Sequence, residues 1–162
     1  MNAPPPRDTV LVGVDSSAAS AAAVRWAASE AERRHARLHA IHVVEHVAGG
    51  HSAFRPDTRL ELELARQSVP GRVADWVFTA GIDVDIAVSV VTGSVAAQLA
   101  RETGDAVLAV IGAPGSLQHS DLPIDLAHAC FCPVAVVGRL GDVTYVDVSA
   151  NSSTTGASHA RA

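Results

Sequence analysis

Two cysteines two positions apart and three histidines within eight residues are the groups best suited to metal or nucleophilic chemistry in this 162-residue chain. Cys130 and Cys132 would supply half of a structural zinc site, which takes four ligands, and the sequence has no second pair. Beside the apolar segment 133–137 they read instead as small apolar core residues kept reduced. His39, His42 and His46 fall along an extended segment, where side chains alternate in direction. Residues 42 and 46 then share one face and residue 39 takes the other. No carboxylate or cysteine cluster completes a ligand set, so no metal site is expected. All twelve basic residues are Arg. The absence of Lys excludes the Walker phosphate loop, Schiff-base chemistry and a lysine general base. Asp15 follows an apolar run, but a phosphoacceptor would need companion acids and a lysine. His119 has no third group to orient it for catalysis. A G-x-S-x-G elbow, a G-x-G-x-x-G fingerprint and paired acids at glycosidase spacing are all missing. The expectation is a protein that is not an enzyme.

The elements that would position any site follow from length and pattern. The chain suits one domain, and its 48% hydrophobic but 4% aromatic content requires a core of Ala, Val, Leu and Ile. A net charge of -5 argues against a nucleic-acid surface, which needs clustered cations. No stretch is long and apolar enough for a membrane span, and residues 1–8, Pro-rich, do not form a secretory signal. A soluble, cytoplasmic protein is expected.

Residues 9–14 form an apolar run that reads as a strand buried on both faces. Ser17 is placed to cap a helix over 18–35, in which Val24, Ala27, Ala28 and Ala31 share a stripe. A second strand spans 37–44. A helix spans 58–80, with a kink or break predicted near Pro70. Residues 83–91 form a third strand, Ser94 caps a third helix, and 106–111 form a wholly apolar fourth strand. A short helix ends near Cys130, a fifth strand spans 133–137, and an extra strand is possible at 143–148. The remaining tail within 140–162 has the composition of a disordered segment. Strands alternating with helices demand a parallel sheet covered on both faces, so 9–139 is read as one α/β domain. Ligands on such sheets bind at the carboxyl ends of the strands, which directs attention to the loops after the first and fourth.

At those loops the sequence resembles the universal stress protein family. VGVDSS leads into a helix carrying Arg25-Trp26-Ala27; the second strand reads IHVV; the fourth with its approach reads GDAVLAVIGAPG; the last helix and strand read LAHACFCPVAVV. These segments run in the family's order over about residues 8–139. The resemblance implies a Rossmann-like open five-stranded parallel sheet ordered 3-2-1-4-5, with helices on both faces. It also implies a homodimer through the fifth strand and, in one branch of the family, ATP binding. In that branch the adenine and ribose side corresponds to Asp15 and Val43. The phosphate side corresponds to a loop written G-x-x-G, nine residues, then G-[S/T].

Gly112-Ala113-Pro114-Gly115 supplies the first half of that loop, although Pro114 removes one main-chain donor. Counting nine residues on from Gly115 lands on Asp125-Leu126. Aligning backwards from Cys132-Pro133-Val134 instead places the second half at Ser120-Asp121, leaving the loop about five residues short. Either way a carboxylate stands near the expected phosphates. One like-charge pair at ~5 Å and an effective dielectric of ~20 costs roughly 3 kcal/mol, near a hundredfold in affinity. That penalty lessens if Asp121 turns to cap the fourth helix. Asp15 has two readings, a ribose ligand or a plain turn residue.

The leading expectation is therefore a non-catalytic, homodimeric stress-response regulator whose nucleotide site is degraded on its phosphate side. The alternative is a working adenine-nucleotide module, taking ATP or AMP weakly, that uses Asp15, Val43, Gly112 and Gly115 with Ser120 nearby. The homodimer is also expected because residues 133–137 would leave an apolar edge, and such edges pair.

Overall fold

The computed structural model of the protein describes residues 8–45, 57–115 and 121–146. In β1 (Thr9–Gly13), Val10, Leu11 and Val12 are fully buried, as an apolar run covered on both sides requires. The chain continues through α1 (Ala18–Arg33), β2 (Arg37–Glu45), α2 (Thr58–Thr79), β3 (Ile86–Gly93) and α3 (Val95–Arg101). A 3-10 turn (Glu102–Asp105), β4 (Ala106–Gly112), α4 (Leu122–Ala129), β5 (Val134–Val137) and β6 (Val143–Tyr145) complete it. The strands form one sheet ordered β3-β2-β1-β4-β5-β6. The first five are parallel, and β6 pairs antiparallel with β5. The expected Rossmann-like order 3-2-1-4-5 is present with one strand added.

Side-chain alternation divides the core in two. Val10, Val12, Leu38, Ala40, Leu108 and Val110 pack beneath α1 and α2. Leu11, Ile41, Ala109, Ile111 and Val134 pack beneath α3 and α4 with Leu99 and Leu126. The buried stripe of α1 is nearly all alanine, which lets that helix lie close on the sheet. Its start is capped as expected, Ser17 accepting from the Ser20 amide at 3.1 Å. Ser94 likewise caps α3, accepting from the Ala97 amide.

Three expectations need correction. Of the kink or break expected near Pro70, the break does not occur: α2 runs unbroken for 22 residues. Pro70 lies on the exposed side of the helix, as does Arg66, whose carbonyl loses the amide partner, so water can replace that bond. The third strand starts at Ile86, later than the expected residue 83, because the Asp83 amide donates to the Glu32 carboxylate of α1 at 2.8 Å. The apolar edge expected at the fifth strand is not open. Strand β6 covers it, pairing Ala135 with Tyr145 and Val137 with Val143. Tyr145 also meets Trp26 of α1 edge to face, the ring centres 6.3 Å apart. The extra strand is shorter than 143–148; residues 147 and 148, the tail beyond them and residues 1–7 lie outside the described residues. No helix among the described residues is long and apolar enough to cross a membrane.

Candidate functional site

Beyond β1 the chain turns under tight local control. The Val14 amide donates to the Ile41 carbonyl at 2.8 Å, keeping the chain against β2 for one residue past the strand. The Asp15 amide then donates to Ser20 Oγ at 2.9 Å, and Asp15 Oδ1 accepts from the Ser17 amide at 2.7 Å. Asp15 is thus a turn residue, one of the two roles expected of it. A carboxylate has about four acceptor positions, so a single amide does not exhaust it. Ser20, buried at 2% exposure, anchors this turn from within α1.

The other wall comes from the end of β4. A methyl group on Gly112 would lie 2.8 Å from the Ala19 carbonyl carbon and 2.9 Å from the Ser20 nitrogen. Glycine is therefore required there by the approach of α1, whatever binds. The Ala113 amide donates to the Val137 carbonyl at 2.8 Å, extending the sheet toward β5. With Pro114 lacking an N–H, two of the four main-chain nitrogens of Gly112-Ala113-Pro114-Gly115 are withdrawn from anion binding. Among the described residues, nothing lies within 4 Å of a carbon added at Gly115.

These two ends and the end of β2 enclose a pocket of about 210 Å³. Asp15, Val43, Gly112 and Gly115 all line it, with Pro114 between the glycines. Ser120 lies outside the described residues, as do His119 and His46. Residues that the sequence reading did not single out also face the pocket, notably Ser20, Glu45, Leu99 and Leu122. Ser20 carries a legible signal, since it stands three residues after the cap Ser17; Glu45 had none beyond ending the strand. Ile41, Val43, Val95 and Ile111 make much of the wall apolar, and the charged residues lining it are Asp15 and Glu45. Such a surface suits a flat ring with hydroxyl groups at one end. It offers no cation to a chain of phosphates among the described residues.

The count of nine residues from Gly115 fails structurally. Asp125 and Leu126 lie inside α4, and Leu126 is fully buried in the core. Asp121 stands at the start of α4, but its side chain makes no capping hydrogen bond to the first turn. The relief through capping is therefore not taken up. The histidines are spent separately. His39 shares a 2.8 Å hydrogen bond with Ser89 of β3, and the His42 ring bonds the Val14 carbonyl at 2.7 Å. Burial pushes both thiols up, that of Cys132 to about 11 with Cys130 adding to the shift, so neither is a ready thiolate near neutrality.

Residues 6–138 match the model of the universal stress protein family. A universal stress protein of Mycobacterium tuberculosis is 29% identical over 145 residues, which are 85% of this chain and 51% of that protein. The chain thus spans about half the length of the curated relatives it matches. Among solved structures, a universal stress protein in complex with cAMP superposes with a TM-score of 0.60 at 21% identity, over 82% of this chain and 98% of that one. The Archaeoglobus fulgidus universal stress protein in complex with dAMP gives 0.56 at 19% identity, over 81% and 98%.

Proposed function

The chain belongs to the universal stress protein family, and from that premise we propose that it is a non-catalytic binding protein of the stress response whose ligand is an adenine nucleotide bearing one phosphate. The observation that carries this reading is the division of the pocket. Its ring-and-ribose side has the apolar wall with Val43, and the carboxylate of Asp15 held by its turn. Its phosphate side has the Ala113 amide committed to Val137 and proline at 114, and α4 starts seven residues after Gly115. Among the described residues, few main-chain donors remain on this side, which argues against a triphosphate. A monophosphate asks for less, and the two structural neighbours described above were solved with cAMP and dAMP.

Calorimetric titration with AMP, cAMP and ATP–Mg²⁺ tests the reading. AMP or cAMP is expected to bind at least as tightly as ATP, and Asp15→Ala is expected to weaken that binding. ATP binding clearly tighter than AMP would overturn it. No heat from any adenylate up to ~1 mM, a binding energy under about 4 kcal/mol, would show that the adenine side is lost as well. A cytoplasmic homodimer is part of the same proposal. Light scattering that gives only monomer at high micromolar concentration would remove the dimer and leave the ligand assignment standing.

A further inference from the structure

We infer that His42, which lines no part of the pocket, is the positioning residue that fixes the Val14–Asp15 peptide at its edge, so that adenylate affinity depends on the His42 Nδ1–H. This rests on the ligand assignment above and adds a residue to it. Along β2 the residues facing the pocket are Ile41, Val43 and Glu45. Alternation turns His42 to the opposite face, beneath α1 and α2, where it cannot reach a ligand. Its Nδ1 nevertheless lies 2.7 Å from the Val14 carbonyl oxygen, 28 residues earlier in sequence. A carbonyl only accepts, so Nδ1 carries the proton and donates.

A peptide unit is planar, and that oxygen shares its plane with the Asp15 N–H. The N–H is held at the other end of the plane by the buried Ser20 hydroxyl at 2.9 Å. With both ends bonded, the plane cannot rotate, and the Asp15 Cα leaves it in one direction. The Ser17 amide then holds Oδ1 of the same residue. His42 and Ser20 therefore do for the Asp15 backbone what Ser17 does for its side chain. Removing either end of the clamp lets the carboxylate wander from the ribose position.

The test compares His42→Leu and His42→Phe, which lack the donor, with His42→Asn, whose amide nitrogen can take the place of Nδ1. Two readouts are used: AMP affinity by calorimetry, and the Asp15 amide resonance in ¹H–¹⁵N spectra without ligand. The donorless variants should bind AMP roughly tenfold more weakly, the value of one hydrogen bond. Their Asp15 amide should shift, and His42→Asn should restore both readouts. A donorless variant that folds and binds like wild type, an unmoved Asp15 amide, or failure of His42→Asn to restore either would overturn the inference. If wild type binds no AMP, the ligand assignment fails by itself, and the amide resonance still decides the clamp.

Discussion

Gly112 and Ala19 sit in such contact that a single methyl group on the glycine would lie 2.8 Å from the Ala19 carbonyl carbon. Helix α1 reaches the sheet at that point, and its capping turn carries Asp15. The nearest atoms are backbone, which cannot swing aside as a side chain would. Gly112→Ala should therefore cost about 1–3 kcal/mol of stability in urea denaturation, as overpacking does elsewhere. Gly115→Ala, with nothing among the described residues near the added carbon, should stay within ~0.5 kcal/mol of wild type. Equal stability of the Gly112 variant and wild type would show that α1 does not need this approach.

The end of α1 makes a separate prediction. His35 has φ of +55°, the left-handed region that favours glycine. It is held there by two closing bonds, from its own amide to Glu32 and from the Ala36 amide to Ala31 at 2.8 Å. The side chain is exposed, so little packing is lost on removing it. His35→Gly relieves the backbone strain and adds some freedom to the unfolded chain, and the first effect is the larger. A gain of about 0.5–1 kcal/mol is expected. A lowered urea midpoint would mean that the imidazole makes a contact worth more than the strain.

His39 links stability to pH. Burial lowers its pKa from the usual 6.5; Glu102 opposes that shift and Arg37 assists it. Below about pH 6.5 the unfolded chain takes up a proton that folded His39 still refuses, so stability falls as pH drops through that window. His39→Gln can keep a hydrogen bond to Ser89 without the charge. The loss of stability between pH 7.5 and 5.5 should be smaller in that variant, measured by urea titration at both values. An undiminished loss would assign the effect to other groups. Glu30 acts elsewhere: burial raises its pKa, but bonds from Arg33 and Arg34 lower it overall, so its contribution is lost only in the acid range.

Much of this architecture was legible because local and long-range signals agree. Buried parallel strands read as apolar runs, and Ser17 and Ser94 announced their helices. Pro70 did not break its helix because the carbonyl it leaves unpaired, that of Arg66, lies on an exposed face where water can serve it. The edge at β5 misled because residues 143–145 return to cover it through a five-residue turn, where the Gly138 amide donates to the Asp142 carbonyl. At the pocket, Asp15 and Gly112 were visible as residue types. Their reasons were not: one carries a turn that Ser20 and His42 hold, and the other makes room for a helix. The Ser20 bond spans five residues, but the His42 bond spans 28 and the approach of α1 to Gly112 exists only once the sheet has formed.

The thiols offer the last test. Cys132 is pushed up to about 11, first by burial and then by the neighbouring Cys130, with the Ala109 amide opposing. Cys130 is raised by burial against the pull of the Thr103 hydroxyl. The nucleophile is the thiolate, and an ordinary cysteine has a pKa near ~8.5. At pH 8 the folded protein should therefore react with iodoacetamide at Cys132 roughly a hundredfold more slowly than the urea-unfolded chain. The folded rate should climb about tenfold per pH unit until it nears pH 11, where the thiol ionises. A rate in the folded protein close to that of an exposed thiol would contradict the reading of these residues as inert packing.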